Sequence, residues 1–202
     1  VQTCALPISI QHYLIVIKHF YEHLVKEEAI VINPVADIEV KGMKRKILYH
    51  ILKPHELHRL YNLYDEKTLT GERNKVLLGL LVYQGLRTED LSQLQVEHIK
   101  LKEGKIDVPG GRNRNGRLLG LEAYQIMDLY NYILQVRPEI LGISGEKTDR
   151  LLVSPEGGTQ ISNFITSMIA GVKKISRSLS GPAVKNARQI RASVIVKWLK
   201  QY

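Results

Sequence analysis

Residues 73–94 read RNKVLLGLLVYQGLRTEDLSQL and contain the strongest structural pattern of the sequence. Residues 73–86 are apolar nearly all round, which is typical of a helix buried on every side in the centre of a domain. Gly85 stands where a glycine commonly ends a helix, and Thr88 followed by acidic residues is typical of the start of another. The stretch therefore predicts a buried central helix and a short second helix, with Arg87 at their junction.

The flanking segments predict further helices and one small sheet. Apolar residues at helical spacing recur in five segments, and alternating apolar residues around Glu103-Gly104, with a short apolar run after them, indicate antiparallel strands. The predicted helices cover residues 9–26, 54–64, 121–136, 161–176 and 186–200, and we expect the third of them to end at Arg137-Pro138. The sum is a mainly α fold of the α+β class, with one small antiparallel β-sheet.

The composition of the 202-residue chain excludes several classes of protein. Hydrophobic residues make up 44% and charged residues 24%, which is a globular balance and not that of a disordered or fibrous chain. No stretch approaches the roughly 18 consecutive apolar residues of a membrane span. The single cysteine, Cys4, cannot form an internal disulfide, so nothing indicates a disulfide-stapled secreted domain.

The positive charge is concentrated near the C-terminus. The chain has 29 Lys and Arg against 20 Asp and Glu, a net charge of +9, and no acidic residue follows Glu156. A solvated basic face is one interpretation, but an ordinary surface would intersperse carboxylates among the basic residues. The local excess favours a polyanionic partner, and nucleic acid is the first candidate. Charge alone also fits a ribosomal protein, a membrane-surface binder or a nuclease.

The segment QGLRTEDLSQL resembles the first arginine motif of the tyrosine recombinase (phage integrase) family. That motif has a Gly-Leu-Arg triplet, two further residues, an acidic residue and a leucine, and Arg87, Asp90 and Leu91 fill the last three named places here. The upstream segment HFYEHLVKEEAIVINPV resembles the end of the family's helical DNA core-binding domain. The resemblance covers nearly everything after residue 9.

Two later segments resemble the family's remaining motifs, in the family's order. IDVPGGRNRNGRLLGL is similar to the β-hairpin that normally carries a lysine, and Arg112 takes the lysine's position by register against Arg117. KNARQIRASVIVKWL is similar to the second arginine motif, normally His-x-x-Arg followed by a helix, with Lys185 at the histidine and Arg188 at the arginine. Each motif is weak alone, and the three together carry the resemblance.

The resemblance implies cleavage of DNA by a tyrosine hydroxyl. The attack leaves a 3′-phosphotyrosyl bond and a free 5′-hydroxyl, and reversal with a new 5′-hydroxyl reseals the strand without ATP. Negative charge builds on the non-bridging oxygens, and two forked guanidiniums are suited to bind them. The resemblance thus assigns Arg87 and Arg188 to a phosphate clamp, and we expect neither a metal ion nor another cofactor.

The proton-transfer roles stay open at the sequence level. The family's hairpin lysine protonates the departing oxygen, whereas an arginine such as Arg112 is a reluctant general acid and is better suited to electrostatic stabilisation, which leaves Lys105 as the other candidate. Lys185 can donate a hydrogen bond to the phosphate as a histidine would, but it accepts a proton only if its pKa is depressed. The nucleophile is expected beyond residue 202, because Tyr202 follows the second motif too closely.

The resemblance also divides the chain. Residues 1–8, VQTCALPI, resemble an in-frame translation of a sequencing adapter and are expected not to be native. Residues 9–40 are expected to be part of a helical, SAM-like core-binding domain, and residues 41–52 a basic linker. Residues 53–202 are then a catalytic domain without its C-terminal end.

The partner implied by the resemblance is double-stranded DNA, bound by a homotetramer of the full-length protein in the bacterial cytoplasm, at the nucleoid. Basic residues of the linker, the hairpin and the C-terminal helices are expected to contact the DNA: Lys41, Lys44, Arg45, Lys46, Arg114, Arg117, Lys173, Lys174 and Arg191. A DNA-binding protein of the same fold without catalysis is the alternative. An RNA or ribosomal binder is disfavoured, since its basic residues would be spread along the chain.

Overall fold

A computed structural model describes most of the chain as two compact units. The described residues are 7–40, 50–65, 67–111, 114–178 and 183–200. The units are residues 1–48 and 49–202, so the boundary falls within the range 41–52 that the sequence analysis assigns to a linker. In the part of the chain that the structure describes, no helix has the length and hydropathy needed to cross a membrane.

The first unit is built on helix α1, Pro7–Lys26. This helix begins two residues before its predicted start, because a proline is tolerated in the first turn, where no N–H has to be donated within the helix. The segment after it returns alongside: Lys18 Nζ donates to the carbonyl of Ala36 at 2.6 Å, and Asn33 Nδ2 donates to the carbonyl of Lys18 at 3.2 Å. None of residues 10–40 is buried.

The second unit contains seven α-helices and three strands within its described residues, besides two 3-10 turns, Val96–His98 and Leu101–Glu103, and a π-helical turn. The α-helices and strands are α2 (Pro54–Leu63), α3 (Leu69–Val82), α4 (Thr88–Gln93), β1 (Ile99–Lys100), β2 (Lys105–Val108), β3 (Arg117–Gly120), α5 (Ala123–Asn131), α6 (Arg137–Ser144), α7 (Ile161–Ser178) and α8 (Ala187–Leu199). The strands form one antiparallel sheet in the order β1-β2-β3. The mainly α fold with a small antiparallel sheet is confirmed.

Helix α3 is the central helix of this unit, as the sequence predicts. Leu77, Leu78 and Leu80 are completely buried, and the helix packs against α2, α5, α7 and α8. Each fully buried leucine contributes about 2 kcal/mol to folding, so α3 organises the core. The helix begins at Leu69, one turn earlier than predicted, since the Thr68 hydroxyl accepts a hydrogen bond from a backbone N–H of its first turn.

The sheet follows the predicted alternation. Ile106 pairs with Ile99 on one side and with Leu119 on the other, and Ile106 and Val108 are fully buried. Lys105 and the other intervening residue of β2 are exposed, so one face of the strand packs on the helices.

The predicted helix end at Arg137-Pro138 is wrong. Residues Tyr132–Val136 form a π-helical turn, in which the N–H of Arg137 bonds the carbonyl five residues back, and α6 then continues through Pro138. A proline lacks the N–H that an α-helix requires in its interior, but it is accepted in the first turn of a new helical segment. The π turn resets the hydrogen-bond register and so places Pro138 in such a first turn.

Candidate functional site

Arg87 lies where the chain leaves the core after α3. Leu86 before it is fully buried, whereas Arg87 is exposed, so the guanidinium emerges directly from the core surface. Arg87 itself, and not Thr88 as predicted, is the N-cap of α4. Its backbone N–H donates to Asp90 Oδ2 at 3.0 Å, so the Asp90 carboxylate replaces the predicted threonine cap.

Asp90 holds three groups on one buried carboxylate. Only 2% of its side chain is exposed, and besides the Arg87 N–H it binds two guanidiniums. Arg114 Nη1 lies 2.9 Å from Oδ1, and Arg117 Nη2 lies 2.8 Å from Oδ2. The carboxylate therefore ties the β2–β3 hairpin to the residue that begins α4. Burial favours a higher pKa for Asp90, but the hydrogen bond from the Arg87 backbone and the charges of Arg117 and Arg114 outweigh it and hold the pKa below its ordinary value.

Arg191 reaches the same place from α8. Its Nε donates to the carbonyl of Gly85 at 3.0 Å, two residues before Arg87. Partial burial lowers the pKa of Arg191, and the positive charge of Arg87 lowers it further. The Arg191 guanidinium therefore lies beside the turn that carries Arg87, within reach of its charge. We call Arg87, Arg114, Arg117 and Arg191, with Asp90, the arginine cluster.

Gly85 makes this approach of α8 possible. It has a φ of 57°, a left-handed conformation that glycine adopts without strain. A Cβ at this position would lie 3.3 Å from both Val194 and Trp198, which are side chains of α8. The absence of a side chain therefore lets α8 pack against the turn before Arg87 and carry Arg191 there.

Buried polar contacts fix the start of α8. The Asn186 side chain accepts a hydrogen bond from the backbone N–H of Gln189 and caps the helix. The fully buried Gln189 side chain accepts from the Lys185 backbone N–H at 2.7 Å and donates to the carbonyl of His50 at 2.9 Å. These contacts leave the side chains of Lys185 and Arg188 exposed at the helix start, one turn before Arg191.

Arg191 is the arginine of α8 that binds the turn before Arg87, whereas the resemblance assigns the second clamp position to Arg188. Within the described residues, no hydrogen bond or ion pair joins the side chain of Arg188 or Lys185 to that turn or to the hairpin, and the clamp role of Arg188 stays a prediction. The spacing basic-x-x-Arg fits residues 185–188 and residues 188–191 equally well. The signal that separates them is Asn-x-x-Gln at 186–189, a helix-start pattern that fixes which residues lie one turn inside α8.

The structure pairs the two described hairpin arginines with carboxylates. Besides Asp90, Arg114 binds Glu89 through Nη2 at 2.8 Å. Backbone bonds between Gly111 and Arg114, 3.0 and 3.1 Å long, close the end of the hairpin. The predicted DNA contacts of Arg114 and Arg117 stay predictions, because each guanidinium is at least partly engaged within the protein.

The other predicted residues lie either on the surface or outside the described part of the chain. Lys105 is exposed on β2, and Lys173 and Lys174 are exposed on α7. Lys41, Lys44, Arg45, Lys46, Arg112 and Tyr202 lie outside the described residues. Within those ranges, no group of three or more His, Cys, Asp or Glu side chains is arranged to hold a metal ion.

Known proteins with similar sequences and folds are recombinases that act on DNA. Tyrosine recombinase XerC of Anoxybacillus flavithermus is 28% identical over 150 residues, which is 74% of this chain and 49% of the relative. The chain thus spans about half the length of the curated relatives it matches. No family model matches the chain.

Solved structures show the same fold at low identity. The XerA recombinase superposes with a TM-score of 0.60 at 17% identity, over 96% of this chain and 69% of that one. The XerH site-specific recombinase, in a post-cleavage complex with a palindromic difH substrate, gives a TM-score of 0.62 at 19% identity, over 82% of this chain and 48% of that one.

Proposed function

Since its sequence and fold are similar to those of tyrosine recombinases, we propose that the chain is the part of a site-specific recombinase that binds the DNA phosphate during strand cleavage and rejoining. The observation that carries the proposal is the hydrogen bond from Arg191 of α8 to the Gly85 carbonyl, which brings its guanidinium to the turn that carries Arg87. An exposed guanidinium and a half-buried one beside the same turn provide a forked, positively charged site that suits the non-bridging oxygens of a phosphodiester.

The reaction proposed for the complete protein conserves the phosphodiester bond energy. A tyrosine oxygen attacks phosphorus and loses its proton, the bond to the 5′-oxygen breaks, and that oxygen takes up a proton. The product is a 3′-phosphotyrosyl bond and a 5′-hydroxyl, and the reverse attack by another 5′-hydroxyl rejoins the strand. Arg87 and Arg191 stabilise the charge that develops on the phosphorane oxygens.

We assign the second place in the phosphate clamp to Arg191, and the place before it, three residues earlier, to Arg188. This shift keeps the family spacing His-x-x-Arg, with Arg188 standing where the histidine usually is. Lys185 then lies outside the motif, although its exposed ammonium remains a candidate contact to the DNA backbone. Lys173 and Lys174, exposed on α7, are proposed to bind backbone phosphates as well.

The assignment is tested by alanine substitution in the complete gene product. Trapping of covalent protein–DNA complexes on a nicked suicide duplex measures cleavage. We expect Arg87→Ala and Arg191→Ala each to reduce complex formation by about 10²- to 10³-fold, the usual loss for one donor to a developing oxyanion. Arg188→Ala is expected to have a smaller effect than Arg191→Ala.

Arg59→Ala is the matched control, because Arg59 is exposed on α2 and lies outside the arginine cluster. It should cleave as the wild type does. If Arg191→Ala cleaved at the wild-type level and Arg188→Ala did not cleave, the clamp position would belong to Arg188 and not to Arg191.

A DNA-binding protein without catalysis is the second candidate, and the residue at position 188 favours it. Arginine is a poor proton donor and acceptor, so it cannot take the proton-transfer role of the family's histidine. In this case the complete protein would bind duplex DNA with strong salt dependence but form no covalent complex with any suicide substrate.

The proposed assembly is a homotetramer on duplex DNA in the bacterial cytoplasm, at the nucleoid. Light scattering of the complete protein with and without a duplex of its target site tests the assembly. A mass that stays at one protomer per duplex would contradict it.

A further inference from the structure

Glu89 is an exposed acidic residue beside a basic cluster that is proposed to bind DNA. Its side chain is 73% exposed, yet its carboxylate lies 2.8 Å from Nη2 of Arg114. The other end of the same guanidinium, Nη1, is bound to Asp90, which is 2% exposed. One arginine therefore spans a buried carboxylate and an exposed one.

The two ends of Arg114 differ in how firmly they are held. Asp90 also binds Arg117 and the Arg87 N–H, so the inner end belongs to a buried, fully satisfied network. The outer end is paired only with a solvent-exposed side chain, and such pairs contribute little to folding because water and salt screen them. Exchange of Glu89 for another anion would leave the inner pair intact.

Glu89 lowers the net positive charge of the arginine cluster. Four guanidiniums face two carboxylates, Asp90 and Glu89, which leaves a net charge of +2. Loss of Glu89 alone would leave +3 and a free pair of N–H donors on Arg114. A phosphate oxygen binds an arginine fork with the geometry that a carboxylate uses.

We propose that Glu89 restrains the affinity of this protein for DNA by occupying the outer face of Arg114 that a backbone phosphate would otherwise bind. This inference rests on the proposed DNA-binding function. Because the competition concerns the phosphate backbone and not the base edges, it acts equally on duplexes of any sequence.

The test is equilibrium binding of the 202-residue chain to a fluorescein-labelled 20-base-pair duplex of random sequence across a salt series. Glu89→Gln removes the charge at nearly constant shape. It is expected to tighten binding about three- to tenfold at 0.1 M salt and to steepen the slope of log K against log salt by about 0.9, the value for one added phosphate contact. A second duplex of unrelated sequence should give the same change.

A double-mutant cycle separates this pairing from a general effect of charge. In Arg114→Gln, the further change Glu89→Gln is expected to alter neither the affinity nor the slope, since the paired guanidinium is gone. Glu97→Gln is the matched control, because Glu97 is 75% exposed, is not paired to the cluster and carries the same charge. Its slope should remain that of the wild type.

The outcomes are distinct. An unchanged slope in Glu89→Gln, or an equal gain when Arg114 is already absent, overturns the inference while the proposed function stands. Failure of the wild type and of Glu89→Gln alike to bind either duplex overturns the proposed function and the inference with it. Thermal unfolding of each variant near the wild-type midpoint shows that the comparison concerns folded protein.

Discussion

Asp90 is the side chain that connects Arg87, Arg114 and Arg117 within the arginine cluster. One buried carboxylate caps α4 through the Arg87 N–H and binds the guanidiniums of Arg114 and Arg117. A buried charge without such partners would be strongly unfavourable, whereas this one has a partner for each oxygen. The backbone of Arg87 and the two hairpin arginines are therefore held by the same group.

Removal of this carboxylate should destabilise the second unit in a pH-dependent way. We expect Asp90→Asn to lower the free energy of unfolding by about 3 kcal/mol at neutral pH, since it breaks a buried ion pair whose arginines can still reach solvent. The pKa of Asp90 is depressed by folding, so its contribution is complete above its unfolded pKa of about 3.9 and is lost as the pH falls through the lower folded value. Urea unfolding at a series of pH values measures the difference.

Asp107→Asn is the control for that experiment, because Asp107 is exposed on β2 and forms no ion pair within the described residues. It should change the stability by less than about 0.5 kcal/mol at every pH. The free energies of unfolding of the wild type and of Asp90→Asn should differ more at pH about 6 than at pH about 2.5. An equal difference at the two pH values would show that the Asp90 charge is not what stabilises the fold.

The sequence predicts the place of Arg87 at the end of the buried run, but not which arginine of α8 approaches that place. A glycine after a long apolar run marks where Arg87 leaves the core, and that is local information. The identity of the second arginine depends on the phase of α8, and residues 188 and 191 differ by only one helical turn. The partners of Arg114 and Arg117 depend on contacts more than twenty residues away in sequence, which no local pattern encodes.

Among the elements, α2 and α5 approach α3 so closely that they leave little room for a side chain at Gly79. A Cβ at Gly79 would lie 3.0 Å from Cε2 of Tyr61 and 3.2 Å from Nε2 of Gln125, so both α2 and α5 approach the helix backbone there. Glycine usually weakens a helix interior. Its presence here permits the approach of two neighbouring helices.

Gly79→Ala should therefore destabilise the protein despite the better helix propensity of alanine. Overpacking of a core typically costs about 1–3 kcal/mol, more than the roughly 1 kcal/mol that alanine contributes in an open helix. Gly142→Ala on α6 is the matched control, because nothing lies within 4 Å of its added Cβ, and it should be neutral or slightly stabilising. Thermal unfolding should give a lower midpoint for Gly79→Ala and an unchanged or higher midpoint for Gly142→Ala, and equal shifts would contradict the packing argument.

The sequence predicts a helix, strand or turn correctly where a single local pattern determines it. The apolar run of α3, the alternation of β2 and the Gly104 turn, with a φ of 61°, are local and were predictable. The π turn before Pro138 was not, because it depends on a hydrogen-bond register shared by α5 and α6 and not on a residue type. The helix was therefore predicted to end at Pro138, whereas in the structure the chain remains helical through this residue.

At the scale of the whole molecule, the two units differ in how they are stabilised. Every fully buried apolar side chain among the described residues, from Leu52 to Val194, belongs to the second unit. The first unit keeps large apolar residues exposed on α1, among them Tyr13 and Phe20, which are 67% and 58% exposed. The amphipathic pattern of α1 was predictable, but the pattern does not say how much of its apolar face is covered.

This contrast predicts a large difference in hydrogen exchange between the two units of the intact chain. Amides of α3 should exchange only on global unfolding, because the helix is enclosed by the core. Amides of α1 should exchange by local opening, orders of magnitude faster, since little buried apolar surface opposes its unfolding. Mass spectrometry of peptides from residues 10–26 and 69–82 measures both rates.

Residues 49–202 produced alone should retain the protection of α3, because the buried side chains around it come from that unit. Loss of that protection, or equal protection of α1 and α3 in the intact chain, would show that the stability of the molecule is shared between the units.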